Sequence, residues 1–146
     1  MPDFLPEPYA AYGSNLWRDQ MLRRCPDAEV AGAAMLPGWR LVLRRFALIE
    51  RHRDATCPVG LWRVTQADLE ALDRYEGPFT YARSQITLPG GGVAWTYKEI
   101  RHRPGPPAAE YVERLRRGYA DFGFDTAPLD AAIAESGFSA VAPPRS

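Results

Sequence analysis

Two short segments of the chain carry residue types at spacings that could do chemistry. The first is Tyr12-Gly13-Ser14-Asn15-Leu16, where a short aromatic run meets a glycine and then a helix-like pattern. A strand that passes through glycine into a helix start leaves backbone N–H groups without partners, and with the helix dipole these cradle a carboxylate, phosphate or oxyanion. Gly13 permits close backbone approach, and Asn15 is the only asparagine in the chain. The same pattern also suits a plain turn in which Ser14 or Asn15 only caps the helix. It is neither GxGxxG nor a phosphate-binding P-loop, so nucleotide binding gains no support from it. The second segment runs from Leu69 to Gly77. Glu76 lies four residues after Leu72 and seven after Leu69, which puts its carboxylate on the apolar face of a helix that persists that far. A carboxyl desolvated there has a raised pKa and acts as a general base near neutral pH. Asp73, four after Leu69, is the rival on the flank of that face, and a frayed helix end that turns Glu76 to water is the alternative.

The elements that must position these residues follow from the pattern. Tyr9-Ala10-Ala11-Tyr12 reads as a first strand ending at Gly13. A helix capped by Ser14 or Asn15 is predicted through Leu16, Trp17, Met21 and Leu22, ending at Cys25-Pro26. Strands are predicted at Val30–Leu36, Trp39–Ile49 and Val59–Val64, separated by Pro37-Gly38 and by the charged run Glu50 to Asp54. Thr65-Gln66-Ala67-Asp68 is a capping-box pattern that opens a helix over Leu69 and Leu72, stopped by Gly77-Pro78. Phe79–Leu88 and a strand with Val93, Trp95 and Tyr97 on one face form a hairpin about Pro89-Gly90-Gly91-Gly92. Tyr111, Leu115 and Tyr119 have helical spacing, and a second short helix covers Leu129–Ala134. The fold expected is a single small α+β domain over residues 8–138, with loose tails at 1–7 and 139–146. Its sheet is mixed, mostly antiparallel and curled toward a barrel, with flanking helices.

Composition narrows the function. The 146 residues are 46% hydrophobic and 25% charged, enough for one globular core. Eighteen Lys and Arg balance eighteen Asp and Glu, so the global field that draws a protein to nucleic acid or anionic lipid is missing. Apolar stretches fall short of the ~20 residues of a membrane span, and no signal peptide is evident, so a cytoplasmic protein is expected. Cys25 and Cys57 lack CxxC or Cys/His clustering, which indicates reduced thiols, leaves a single bridge open, and implies no zinc site.

With Tyr-Gly-Ser-Asn-Leu at 12–16, Leu-Asp-Arg-Tyr-Glu-Gly at 72–77 and then Tyr81, the chain resembles the γ-glutamylcyclotransferase family, including its avirulence-induced-gene-like and γ-glutamylamine cyclotransferase branches. Pro107-Ala108-Ala109-Glu110-Tyr111, Arg117-Gly118-Tyr119 and Phe122-Gly123-Phe124 are similar to the family's helical end. The similarity spans about Tyr9 to Ile133, with Val30–Cys57 matching only in strand pattern. The resemblance implies an active-site cavity at one mouth of the sheet. The loop Tyr12, Gly13, Ser14, Asn15 and Leu16 would hold the γ-glutamyl part, Glu76 would be the acid/base, and Tyr81 and Tyr111 would line the pocket. The reaction implied is attack of the substrate's own α-amine on its γ-carbonyl, giving 5-oxoproline and a free amine or amino acid. No metal or organic cofactor is implied, and the partner expected is a small γ-glutamyl compound.

Three features match no family motif: Arg44-Arg45, the run Glu50 to Asp54, and Arg101-His102-Arg103. Such runs are usually solvated faces, but one of these arginines could face the cavity mouth and bind an acidic group. His52 and His102 in Arg-rich loops read as surface residues. Two further functions fit parts of the sequence: a non-catalytic module for a small anion on the same fold, and nucleic-acid binding through the clustered arginines with Trp39 and Trp95, which the neutral net charge opposes. The leaving group, the pathway and the oligomeric state are not specified by the sequence.

Overall fold

The structure is a computed structural model that describes residues 2–77, 80–101 and 104–139. Five strands, β1 (Tyr9–Ala11), β2 (Glu29–Leu43), β3 (Ala47–Arg63), β4 (Tyr81–Thr87) and β5 (Val93–Glu99), form one mixed sheet in the order β2-β3-β1-β5-β4. Only the β1–β5 pair is parallel; the other three pairs are antiparallel. Among the described residues four helices flank it: α1 (Arg18–Arg24), α2 (Gln66–Glu76), α3 (Ala109–Phe122) and α4 (Ala127–Glu135). The sheet is curled but open, since β2 and β4 are edges. Across the curl the start of β3 meets β4, where the Tyr81 hydroxyl donates to the Ala47 carbonyl at 2.6 Å. This is the α+β domain that the pattern predicts.

The shortest strand is the most enclosed. Tyr9, Ala10 and Ala11 are all buried, with β3 on one side and β5 on the other. Small side chains at Ala10 and Ala11 let the neighbouring strands and the core close over β1, and Thr96 Oγ1 donates to the Ala10 carbonyl at 2.9 Å. β1 therefore delivers the loop that follows it from a fixed platform.

The helix signals act as predicted in α2 and α3. The Thr65 hydroxyl accepts from the Asp68 N–H at 3.1 Å and the Asp68 carboxylate accepts from the Thr65 N–H at 2.9 Å, a reciprocal cap. Leu69 and Leu72 are fully buried, and the Gly77 N–H closes the helix on the Asp73 carbonyl at 2.8 Å. In α3 Val112, Leu115 and Tyr119 face the core, and Gly123 in the left-handed region at φ 67° ends the helix.

Several expectations are corrected. No helix begins at Ser14 or Asn15: Ser14–Leu16 is a single 3-10 turn, α1 begins only at Arg18, and neither the turn nor α1 has a side-chain cap. The predicted Trp39–Ile49 strand is a hairpin, with its turn at Arg44 to Phe46, where the Arg44 N–H donates to the Phe46 carbonyl at 3.1 Å. Pro37-Gly38 does not separate strands. β2 is an edge, where proline costs no ladder bond, and Gly38 at φ 83° forms a bulge. Opposite it the pairing passes from Pro37–Thr56 to Trp39–Arg51, so Glu50 and Arg51 stay in the ladder, residues 52–55 fall between paired positions, and the charged run lies within β3 instead of ending a strand. Within the segment expected as a loose N-terminal tail, the Leu5 N–H donates to the Val64 carbonyl at 2.8 Å and Phe4 bridges Thr65. Met1, Pro78, Phe79, His102, Arg103 and the C-terminal stretch 140–146 lie outside the described residues. Cys25 and Cys57 are free, buried thiols, each held up at about 12, Cys57 by burial and Cys25 by burial and the nearby Asp68 carboxylate. Among the described residues no helix is long and apolar enough to cross a membrane.

Helix α3 seats against the 3-10 turn through Gly118. A Cβ there would lie 2.5 Å from Leu16 Cβ and 2.9 Å from the backbone N of Trp17. Gly→Ala inside a helix ordinarily stabilises by about 1 kcal/mol. Here Gly118→Ala is expected to destabilise by about 1–3 kcal/mol in urea denaturation, because the overpacked atoms include backbone. A stabilised variant would contradict this packing.

Candidate active site

A cavity of about 360 Å³ opens where the β1 loop, the end of α2, the start of β3, β4 and α3 converge. Of the residues singled out from sequence, Tyr12, Gly13, Ser14, Asn15, Glu76, Tyr81 and Tyr111 line it. Leu16 does not. Its side chain is fully buried between Gly60 and Gly118, and its N–H is already given to the Gly13 carbonyl at 3.0 Å, so it belongs to the core and not to a binding surface. The N–H groups of Ser14 and Asn15 precede the first donor of the turn and have no acceptor among the described residues. Gly13 has φ −115°, which any residue adopts; what it requires is space, since a Cβ would sit 3.3 Å from Ala47 Cβ and 3.5 Å from the Tyr111 hydroxyl.

Asn15 does not cap. Its side chain, 2% exposed, braces three elements at once. Nδ2 donates to the Tyr9 hydroxyl at 3.0 Å and to Glu76 Oε1 at 3.3 Å, while Oδ1 accepts from Gln20 Nε2 and from Arg24 Nη1, each at 3.0 Å. An amide that offers two donors and one carbonyl is thereby fully used, and its orientation is fixed.

Glu76 is the last residue of α2 and stands on the inward face with Leu69 and Leu72, as the spacing predicts. Its side chain is 20% exposed. Burial pushes its carboxyl above the ordinary range, and the Arg24 guanidinium, 3.9 Å away, draws it only partly back. Its position at a helix C-terminus acts in the same direction as burial, because the negative end of the dipole disfavours a carboxylate. Arg24 itself is stacked at 4.4 Å over the Tyr75 ring.

Asp73, the rival, is occupied elsewhere and does not line the cavity. It pairs with Arg83 through two contacts, one of them at 3.0 Å, and accepts from the Tyr97 hydroxyl at 2.6 Å. Burial alone would raise its carboxyl, but these bonds and the Arg83 charge hold it below its ordinary value. It is a fixed anion that anchors β4 and β5 to α2.

The rest of the wall is phenolic. The Tyr12 hydroxyl donates to the Tyr97 carbonyl at 2.6 Å, and the Tyr111 hydroxyl accepts from the Ala47 N–H at 3.0 Å. Burial raises Tyr9, Tyr12, Tyr81, Tyr97 and Tyr111 above the ordinary phenol value, so all five are neutral. Tyr9, Tyr97, Arg24 and Arg114 escaped the sequence reading as cavity residues. Tyr9 and Tyr97 were legible only as strand residues, and the arginines had no local pattern to mark them. Of the arginines in the runs that the sequence did mark, Arg44 pairs with Glu99 at 3.7 Å, Arg51 stacks at 4.2 Å on Trp39, Arg45, Arg53 and Arg101 are exposed, and Arg103 lies outside the described residues. Among the described residues no group of His, Cys, Asp and Glu is placed to hold a metal.

Residues 9–113 match the family described as gamma-glutamyl cyclotransferase, AIG2-like. No curated protein matches the chain in sequence. Among solved structures, one named gamma-glutamyl cyclotransferase superposes with a TM-score of 0.74 at 19% identity, covering 96% of this chain and 93% of that one. A Homo sapiens protein gives 0.73 at 19% identity, again covering 96% and 93%. An Arabidopsis thaliana protein gives 0.56 at 22% identity, covering 82% of this chain and 89% of its own.

The raised carboxyl of Glu76 has a consequence for stability. The unfolded chain loses this proton in the ordinary carboxyl range, the folded chain at higher pH, so the native state forfeits stability as pH rises through that window. Glu76→Gln, which keeps an acceptor for Asn15, is expected to match the parent at pH 4 and to exceed it increasingly toward pH 7.5 in denaturant titrations. A variant whose deficit grows with pH would refute the desolvated assignment.

Proposed function

The chain belongs to the gamma-glutamyl cyclotransferase, AIG2-like family, and we propose that it is a cofactor-independent cyclotransferase acting on a small γ-glutamyl compound. The observation that carries this reading is the carboxylate of Glu76, desolvated and braced by Asn15 in a cavity also lined by Ser14 and Asn15, whose backbone N–H groups have no acceptor among the described residues.

The chemistry asks little else of a protein. Nucleophile and electrophile belong to one molecule, so holding the glutamyl chain folded supplies up to about 7–11 kcal/mol of the barrier. Glu76 takes a proton from the substrate's α-ammonium, and the freed amine attacks the γ-carbonyl carbon. The N–H groups of Ser14 and Asn15 offset negative charge on the substrate carboxylate or on the tetrahedral oxygen. Glu76 returns that proton to the leaving nitrogen and takes the second proton from the attacking nitrogen; the bond to the leaving nitrogen then breaks and the second proton follows onto the departing amine, which gives 5-oxoproline, a free amine or amino acid and an ionised Glu76. Tyr81 and Tyr111, fixed on either side of Ala47, line the space for the glutamyl chain. The protein works in the cytoplasm, in γ-glutamyl or glutathione-type metabolism, without a nucleic-acid or membrane partner.

The test is release of 5-oxoproline from a panel of γ-glutamyl amino acids, glutathione and γ-glutamylamines. Glu76→Gln is expected to fold normally and to lower kcat/KM by about 10²- to 10⁴-fold, the share a general acid/base supplies. Asp73→Asn is expected to retain most turnover. In the parent, kcat/KM should rise with pH along a limb lying above the ordinary carboxyl range, since the base must be ionised and its carboxyl is raised. Turnover undiminished in Glu76→Gln would overturn the assignment. Folded protein that binds these compounds and forms no product would favour the small-anion module.

A further inference from the structure

The charges that line the cavity are unbalanced. Among the described residues they are one carboxylate, Glu76, and two guanidiniums, Arg24 and Arg114, in a wall of neutral phenols. Arg24 is committed to the acid/base assembly through Asn15, Glu76 and the Tyr75 ring. Arg114 is not. It lies one turn beyond Tyr111 on α3, with its side chain 33% exposed.

Its donors can be counted. A guanidinium carries five N–H groups. Nε donates to Glu110 at 2.7 Å, Nη2 reaches the same carboxylate at 2.6 Å, and Nη1 donates to Gln20 Oε1 at 2.7 Å. Among the described residues this leaves an N–H on Nη1 and an N–H on Nη2 without an acceptor, so the guanidinium can still donate twice to a carboxylate. Glu110 does not cancel the charge firmly, because its side chain is 71% exposed and such surface pairs contribute little. Gln20, by contrast, is buried, and its Nε2 donates to Ser14 Oγ at 2.8 Å and Asn15 Oδ1 at 3.0 Å. Arg114 is thus indexed to the loop that leads to Glu76.

We propose that Arg114 is the specificity-determining residue of this cavity and binds a carboxylate carried by the group that leaves. The inference rests on the cyclisation reading above. The γ-glutamyl part common to all candidates carries an ammonium and a carboxylate and is neutral. An amino-acid or peptide leaving group adds one negative charge, which the surplus guanidinium complements; an amine leaving group adds none. The enzyme therefore favours γ-glutamyl amino acids or peptides over γ-glutamylamines.

γ-Glutamylalanine and γ-glutamylethylamine differ only in that carboxylate. The experiment measures kcat/KM for both with the parent, Arg114→Met and Arg114→Lys, and Kd for both by calorimetry in Glu76→Gln alone and combined with Arg114→Met. The parent is expected to prefer γ-glutamylalanine by about tenfold or more, the worth of a charge-assisted pair. Arg114→Met should bring the ratio near one, and Arg114→Lys, a charge without the fork, should restore it in part. A parent ratio near one overturns the inference, even where Arg114→Met does not fold. So does an Arg114→Met variant that weakens both compounds equally, which would assign the guanidinium to the shared glutamyl end. Product without discrimination sinks this inference and leaves the cyclisation reading intact. Discrimination in Kd that depends on Arg114, with no product from either compound, sinks the cyclisation reading and retains the carboxylate site.

Discussion

The side-chain amide of Asn15 is the joint on which the site depends. It is buried, and a buried amide left unpaired would cost more than any single bond it makes. Four partners satisfy it: Tyr9 from β1, Glu76 from the end of α2, and Gln20 and Arg24 from α1. Those partners come from both sides of the 3-10 turn and from a helix sixty-one residues away in sequence. Packing the amide and positioning the carboxylate are therefore one event. The loop cannot move without unpairing Asn15, and Glu76 cannot fray into water without leaving one of its donors unused.

The surroundings serve that joint. β1 is held on both edges, so the loop leaves from a rigid strand. Gly118 lets α3 close on the turn from one side, and the side chain of Leu16 fills the gap next to Gly60 from the other. Asp73, which spacing could not distinguish from Glu76 as a base, secures α2 to β4 and β5 through Arg83 and Tyr97. Two carboxylates three residues apart on one helix thus have opposite environments. One is desolvated and raised; the other is saturated with donors and lowered. The separation of their pKa values separates their roles.

The curl of the sheet brings in the remaining wall. Tyr81 on β4 and Tyr111 on α3 both meet Ala47, the first residue of β3, one at its carbonyl and the other at its N–H. A single residue at the start of β3 therefore spaces the two tyrosines across the cavity. Arg114, one turn further along the same helix, also lines the cavity. The polar groups lie on helices and strand ends that are packed into the core, so the cavity is preorganised rather than assembled by mobile loops.

Local sequence was sufficient wherever a short-range rule governs. The capping box at Thr65 and Asp68, the glycine stop at Gly77, the Gly-rich hairpin at 89–92, and the inward position of Glu76 all depend on bonds or periodicities within a few residues. The pentapeptide at 12–16 likewise marked where a chain turns out of a buried strand. What local sequence could not assign depends on neighbours distant in the chain. Pro37-Gly38 reads as a break, and becomes a bulge only because β2 is an edge strand. Asn15 and Leu16 read as cap and binding surface, whereas tertiary contacts make one a brace and the other core. Arg44, Arg45, Arg51 and Arg53 were conspicuous in runs yet lie on Glu99, on the Trp39 ring or in solvent, while Arg24 and Arg114, inconspicuous in sequence, reach the cavity. A side chain's partners across a curled sheet are set by the summed twist and packing of all the strands between, a quantity no window of sequence contains.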